Sequence, residues 1–187
     1  MIDIYLDNNV FDYLYENNID ILKEFPNNKF SLKITKEISF EVEANTNLDK
    51  KNFIKNLSYI EICPIFGFND DNHSSNKQRN SGFDFGGFPS VKQNKYKEEL
   101  KNKFLKLKKN PKHDLYKEEA DIDLAVRSVE YIVLTFDEKR NKKKGPLNDA
   151  HEKGYNVVFL TDFDLKKESL NSFVKEYLHS KGLKAWN

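Results

Sequence analysis

Short runs of β-forming residues alternate with helical apolar patterns along most of the chain, an order that is typical of a parallel α/β sheet. The first run spans 2–6 and leads through Asp7 into a helical pattern that Pro26 closes. A second β-like run follows at 30–34, and Thr35 then opens a second helix. Because parallel strands need crossover connections, this order predicts right-handed βαβ units.

The second half of the chain continues the alternation. Its pattern predicts a strand at 57–66, a helix at 116–130, a buried strand at 131–134, a short helix at 146–153, a strand at 157–160 and a last helix at 165–178. At 187 residues the chain has the length of one domain with room for an insertion. We therefore expect a single α/β domain over 1–187 with a mostly parallel central sheet.

The alternation is interrupted between residues 67 and 112, which we interpret as an insertion of a loop followed by a helix. Residues 67–89 are rich in Asn, Ser, Gly and Phe, which is typical of a functional or a disordered loop. Residues 92–110 have a helical pattern that places Tyr96, Leu100, Phe104 and Leu107 on one stripe. Nine lysines against two glutamates over 92–112 indicate either a solvated helix face or a phosphate-binding surface.

The composition excludes several classes of protein. Lysine and arginine number 31 against 30 aspartates and glutamates, so a net charge of +1 does not indicate nucleic-acid binding by bulk attraction. Cys63 is the one cysteine, which excludes an internal disulfide and suits a reducing compartment. No signal-peptide pattern and no apolar stretch of about 18 residues occurs, so we expect a cytoplasmic protein that does not enter a membrane.

Acidic residues stand where the predicted strands end and the helices begin. Asp7 ends the first strand, Asp121 opens the helix before a central strand, and Asp137 follows that strand. Glu41 lies on the second helix and can lean over the same crevice. Asp7 alone has a simpler interpretation as a helix cap. Carboxylates gathered without basic neighbours repel one another, so together these four predict a site for Mg²⁺ or Mn²⁺.

These motifs, taken in order, resemble the PIN-domain nucleases. Asp7-Asn8-Asn9 resembles the Asp-x-Asn opening of that family, and Thr35 followed six residues later by Glu41 resembles its second acidic position. Asp121-Ile122-Asp123-Leu124-Ala125 resembles its third acidic helix, as it also does in the NYN branch, and Thr135-Phe136-Asp137 resembles its Thr-x-Asp motif. The resemblance extends from residue 1 to about 165 and is interrupted by the insertion.

The resemblance implies a three-layer αβα fold with a twisted, mostly parallel sheet, and Mg²⁺- or Mn²⁺-dependent hydrolysis of phosphodiester bonds, in RNA rather than DNA. The implied catalytic and metal-binding residues are Asp7, Glu41, Asp121 and Asp137, with Glu37 or Glu43 as alternatives to Glu41. Asn9, Thr135 and Asp123 are implied as outer residues that orient the ligands. The implied contacts to the nucleic-acid backbone come from Lys139, Arg140, Lys142, Lys143 and Lys144.

The resemblance also implies a toxin or defence role, with an antitoxin or another protein as partner, or a homodimer. Two other functions stay open at this point. One is an inactive PIN-like module that binds nucleic acid or protein through the Lys-rich helix and the Phe-Gly loop. The other is an acid-cluster phosphatase, although such an enzyme would ordinarily have an aspartate where Asn9 stands.

Overall fold

The computed structural model describes residues 1–68, 73–82, 86–137 and 145–183. The strands are β1 (Ile2–Leu6), β2 (Phe30–Ile34), β3 (Glu61–Ile62), β4 (Ile65–Phe66), β5 (Asn80–Ser81), β6 (Lys106–Lys109), β7 (Tyr116–Lys117), β8 (Ile132–Thr135) and β9 (Val157–Phe159). The α-helices are α1 (Asn8–Glu16), α2 (Ile21–Glu24), α3 (Lys36–Glu43), α4 (Leu48–Asn56), α5 (Val91–Phe104), α6 (Glu119–Arg127), α7 (Pro146–Glu152) and α8 (Leu170–Ser180).

Five strands form one sheet in the order β3-β2-β1-β8-β9, and every neighbouring pair is parallel. All four residues of β8 are buried, as expected for a parallel strand that helices cover on both faces. Ile4 and Leu6 of β1 are also fully buried beside it. The predicted fold class, a parallel α/β sheet between helical layers, is confirmed.

The sheet topology brings two distant parts of the sequence to one edge. Strands β1 and β8 are neighbours, and Leu6 is the partner of Leu134 in their parallel register. The ladder ends with the amide of Asp7, which donates a hydrogen bond to the carbonyl of Leu134 (3.1 Å). Residues that follow these strands therefore emerge side by side at the carboxyl edge of the sheet, where ligands bind in open α/β sheets.

The insertion contains more structure than a loop and a helix. Helix α5 ends at Phe104 instead of extending to 110, and the chain then forms the antiparallel hairpin β6–β7. Leu107, predicted to lie on the buried helical stripe, is 83% exposed on β6. The first residues of the helix predicted at 116–130 belong to β7, because Tyr116 and Lys117 pair with β6.

Helix α5 is docked on the domain, not free in solvent. Its Tyr96 and Leu100 are buried in the same apolar core as the central sheet. The Tyr96 hydroxyl donates to Asp149 on α7 (2.9 Å), and Lys103 pairs with the same carboxylate. Lys103, a lysine of the predicted phosphate-binding surface, is therefore engaged in docking the helix.

The predicted strand at 57–66 is divided into β3 and β4, with Pro64 between them. The first helix is likewise divided into α1 and α2, and Asn18 between them has a left-handed φ of 49°. Within the part of the chain that the structure describes, no helix is both long and apolar enough to span a membrane.

Candidate active site

Asp7 and Asp137 are connected by a hydrogen-bond network at the carboxyl edge of β1 and β8. The Thr135 hydroxyl donates to Asp7 Oδ2 (2.7 Å) and accepts from the backbone amide of Asp137 (3.0 Å). The Asn9 side-chain amide donates to Asp137 Oδ1 (3.2 Å) and to Thr135 Oγ1 (3.3 Å), while its oxygen accepts from the amide of Phe136 (2.9 Å). The network fixes the relative positions of two strand ends that are far apart in sequence.

Asp7 both caps a helix and belongs to this network. Its Oδ1 accepts a hydrogen bond from the amide of Asn8 (2.6 Å) at the start of α1, while Oδ2 accepts from Thr135. Asp7 is therefore both a helix cap and a member of the network, because one carboxylate oxygen accepts the capping hydrogen bond and the other accepts the bond from Thr135.

Four buried or half-buried carboxylates, Asp7, Glu41, Asp121 and Asp137, form what we call the acidic cluster. Burial, followed by the charge of Asp137, raises the pKa of Asp7 to about 6, although the Thr135 hydrogen bond opposes the shift. Burial and the charges of Asp7 and Asp137 raise the pKa of Glu41 to about 7. Burial also raises the pKa of Asp121 well above its ordinary value, with repulsion from Asp7 and Asp137 adding to it. The carboxylates are thus close enough to repel one another.

The acidic cluster has no compensating cation among the described residues. Within 1–68, 73–82, 86–137 and 145–183, no basic side chain forms an ion pair with any of its four carboxylates. In the same chain, other buried acids such as Asp123 and Asp149 do have basic partners. Uncompensated buried carboxylates are costly, and a divalent cation is the usual compensation.

The donor set fits Mg²⁺ or Mn²⁺ by its chemistry, because it consists of hard carboxylate oxygens. As the described side chains stand, however, no group of three or more His, Cys, Asp or Glu residues is arranged so that it could hold a metal ion. Binding an ion would therefore require these side chains to move from the positions that they occupy here.

The three glutamates of helix α3, Glu37, Glu41 and Glu43, lie in different surroundings. Thr35 caps α3 by accepting a hydrogen bond from the amide of Ile38 (3.2 Å), which sets the direction of the helix. Glu37 is buried beside Asp123 and Lys97, and burial raises its pKa to about 8. Glu43 is exposed and lies 3.8 Å from Lys77. The pKa of Glu41, in contrast, is raised by burial and by the charges of Asp7 and Asp137.

Asp123 lies apart from Asn9 and Thr135, the other two predicted outer residues. Its carboxylate lies 3.5 Å from Arg127 Nε and 3.6 Å from Lys97 Nζ, beside a cavity of about 240 Å³ that Glu37 also lines. The reason is helical geometry, since residues two apart on α6 point about 200° apart. Asp121 therefore lies near the other members of the acidic cluster, whereas Asp123 lies near Lys97 of α5.

Glu118 is a site residue that the sequence interpretation missed. It precedes α6 with a left-handed φ of 69°, a conformation that a non-glycine residue seldom adopts. Its charge adds to the raised pKa values of Asp121 and Asp137, for which burial is the larger cause. The available signal was its position three residues before Asp121, one helical turn away.

A groove of about 560 Å³ leads to the acidic cluster. Glu41, Glu118 and Asp121 line it together with the β6–β7 hairpin and its turn. The predicted backbone contacts at Lys139, Arg140, Lys142, Lys143 and Lys144 lie outside the described residues. In the described chain, the lysines that line the groove belong instead to the hairpin.

We expect Thr135→Val to destabilise the protein by about 1–3 kcal/mol, the usual cost of leaving a buried polar group without its partner. Valine matches threonine in shape but leaves Asp7 Oδ2 and the amide of Asp137 without the hydroxyl that joins them. Urea unfolding at constant pH measures the change. Thr135→Ser keeps the hydroxyl and is the matched control, so equal losses in both variants would contradict the proposed role of the hydroxyl.

Comparisons with known proteins yield little similarity. No family model matches the chain, and no curated protein matches it. Among solved structures, a chain from the crystal structure of VapBC2 from Rickettsia felis bound to a DNA fragment from their promoter is similar, at 14% sequence identity and a TM-score of 0.37. The alignment covers 73% of this chain and 89% of that one. A likeness at this level carries no functional argument, so the function has to be inferred from the acidic cluster itself.

Proposed function

We propose that this protein is a metal-dependent nuclease that uses Mg²⁺ or Mn²⁺ to hydrolyse phosphodiester bonds, with RNA as its substrate. The observation that supports this most is the acidic cluster. Four carboxylates from β1, α3, α6 and the end of β8 are gathered at one sheet edge, and none has a basic partner among the described residues. A divalent cation would neutralise the mutual repulsion of such a set of charges.

In this proposal Asp7, Glu41, Asp121 and Asp137 hold the ion, directly or through water. When bound, a divalent ion lowers the pKa of a water molecule and neutralises charge on the phosphate oxygens. Thr135 and Asn9 hold Asp7 and Asp137 in fixed orientations through the strand-end network. The cost of gathering these charges in the metal-free protein is consistent with strain stored at a functional site.

The preference for RNA and the protein partner are the finer parts of the proposal. Both rest on the motifs Asp7-Asn8-Asn9, Thr35 to Glu41, Asp121 to Ala125 and Thr135-Phe136-Asp137 and their resemblance to PIN-domain nucleases. A toxin or defence effector with an antitoxin partner, or a homodimer, belongs to this same inference.

The phosphatase alternative receives no support from the site. Asn9 occupies the position where a second assisting aspartate would be expected, and its side chain is engaged with Thr135, Phe136 and Asp137. An inactive binding module is also a weaker alternative, because all four acids of the motif are present and gathered.

The proposal is tested by incubating the full chain with labelled single-stranded RNA and DNA of identical sequence, with Mn²⁺, with Mg²⁺ and with EDTA. We expect internal cleavage of RNA with either metal and none with EDTA. Hydrolysis of p-nitrophenyl phosphate, measured in parallel, distinguishes a phosphatase. Cleavage that survives EDTA, or phosphatase activity without RNA cleavage, would overturn the proposal.

A further inference from the structure

The β6–β7 hairpin, which begins in the insertion and continues beyond it, borders the acidic cluster. It lines the 560 Å³ groove together with Glu41 and Asp121, and contributes Lys108, His113, Tyr116 and Lys117 to that lining. A volume of this size is typical of a ligand-binding cleft, for which the usual range is about 300–1,000 Å³. The hairpin therefore forms part of the groove that contains two of the acids.

A bulge determines which side chains of the hairpin reach the groove. Lys106 pairs with Lys117 and Lys109 pairs with Tyr116, so residues 107 and 108 are extra residues on the β6 side. Bulged residues leave the ladder, and bulges beside functional sites commonly redirect a side chain. Here the bulge exposes Leu107 and places Lys108 on the groove wall.

The charges of the groove are unequally compensated. Lys109 is held by Asp114 (3.2 Å), and Glu119 is held by Arg79 (2.9 Å). Lys108 is exposed and forms no ion pair among the residues that the structure describes, although acids line the same groove. Lys117 is 62% exposed and forms a long ion pair with its neighbour in sequence, Glu118 (3.9 Å). Both ammonium groups are therefore accessible to a ligand that carries negative charge.

Two residues with aromatic rings, Tyr116 and His113, line the groove beside these lysines, and neither is fully exposed. Burial and the nearby charge of Lys77 lower the pKa of His113, which keeps its ring neutral at neutral pH. Lysines interspersed with rings that can stack on bases are the usual features of single-strand binding surfaces, because only unpaired bases expose their faces.

We infer that the β6–β7 hairpin forms the outer wall of a groove for single-stranded nucleic acid, in which Lys108 and Lys117 contact backbone phosphates and guide the strand over the acidic cluster. The inference rests on the proposed nuclease function and adds to it the form of the substrate and the residues that position it. Lys108 and Lys117 are positioning residues, because they line the groove without belonging to the acidic cluster.

The test measures binding separately from cleavage. Fluorescence anisotropy of a labelled single-stranded RNA with the full chain in EDTA gives the Kd at several salt concentrations. For the Lys108→Ala/Lys117→Ala double variant we expect binding weakened about tenfold at 0.1 M salt, and the slope of log K against log salt reduced by about 1.4, which is 0.7 for each lost phosphate contact. Lys95→Ala removes an exposed lysine of α5 that does not line the groove, so it should leave the slope unchanged.

The outcomes separate this inference from the proposed function. Unchanged binding and slope in the double variant, with metal-dependent cleavage intact, would overturn the groove and leave the nuclease proposal standing. Weakened binding and a reduced slope in a protein that never cleaves would support the groove and overturn the nuclease proposal. Equal binding of duplex RNA, or an equal loss of affinity for polyglutamate in the double variant, would also overturn the inference, because the lysines would then not select unpaired nucleic acid.

Discussion

Asp121→Asn should stabilise the metal-free protein and at the same time abolish cleavage. Burial and repulsion from Asp7 and Asp137 hold the pKa of Asp121 well above its ordinary value, and an amide of the same shape removes the charge. We expect the Tm at pH 8 to rise by several degrees, since 1 kcal/mol corresponds to about 2–4 °C at this chain length. Cleavage should fall by at least about 100-fold, the upper end of losses on perturbing a metal's surroundings. Thermal unfolding and single-turnover cleavage measure the two effects.

Asp123→Asn is the matched control, on the same helix and of the same chemistry. Because Asp123 pairs with Arg127 and Lys97, the substitution removes the negative charge that compensates these two cations. It should destabilise the protein by about 3–5 kcal/mol and leave the activity of the folded fraction intact. If Asp121→Asn instead lowers the Tm and retains cleavage, the acidic cluster is a structural feature and not an active site.

The second large effect is a stabilisation by Mn²⁺ that depends on pH. The pKa values of Asp7 and Glu41 are raised in the folded protein to about 6 and about 7, from ordinary values of 3.8 and 4.5. Between these limits the folded state holds protons that the unfolded chain has released, so the metal-free protein loses stability as the pH rises from about 4 to about 7. Mn²⁺ at about 100 times its Kd should restore about 2.7 kcal/mol at pH 8. At pH 5, where the ion must displace protons, the increment should be much smaller.

Thermal unfolding with EDTA and with Mn²⁺ at pH 5 and pH 8 measures this effect. Asp121→Asn should lose most of the increment at pH 8, whereas Lys95→Ala should keep it. A Tm increment that is the same at both pH values, or absent at pH 8, would mean that the carboxylates do not bind the ion.

The positions of Asp7 and Asp137 could be predicted from sequence because local patterns determine where strands end. Parallel order then places those ends at one sheet edge without further information. The Asp-x-Asn and Thr-x-Asp motifs also include the residues that form the hydrogen-bond network. Asn9 donates to Asp137 and Thr135 donates to Asp7, so each side chain reaches from one strand end to the other. For this part of the site, local sequence and topology were sufficient.

Other features of the site and its surroundings did not follow from the sequence pattern in this way. Glu118 stands three residues before Asp121 in sequence, but the left-handed φ that it adopts before α6 is not predicted by a run of acidic residues. Lys106 to Lys109 continue the helical stripe of α5 by pattern, yet pairing with β7 makes them a strand, an example of tertiary contacts overriding propensity. Asp123 is a different case, because a two-residue spacing on a helix already separates it from Asp121.

The network of Asn9, Thr135 and Asp137 also determines when during folding the site can exist. Its two halves are separated by 126 residues along the chain, and they meet only when β8 pairs with β1. Contacts of such long sequence separation form late because the intervening chain must first be closed into a loop. A chain still emerging from the ribosome, or truncated before residue 132, would contain Asp7 and Glu41 but no assembled site. Translation must therefore have passed Asp137 before the carboxylates of β1 and β8 can be held together, whatever the earlier part of the chain has already folded into.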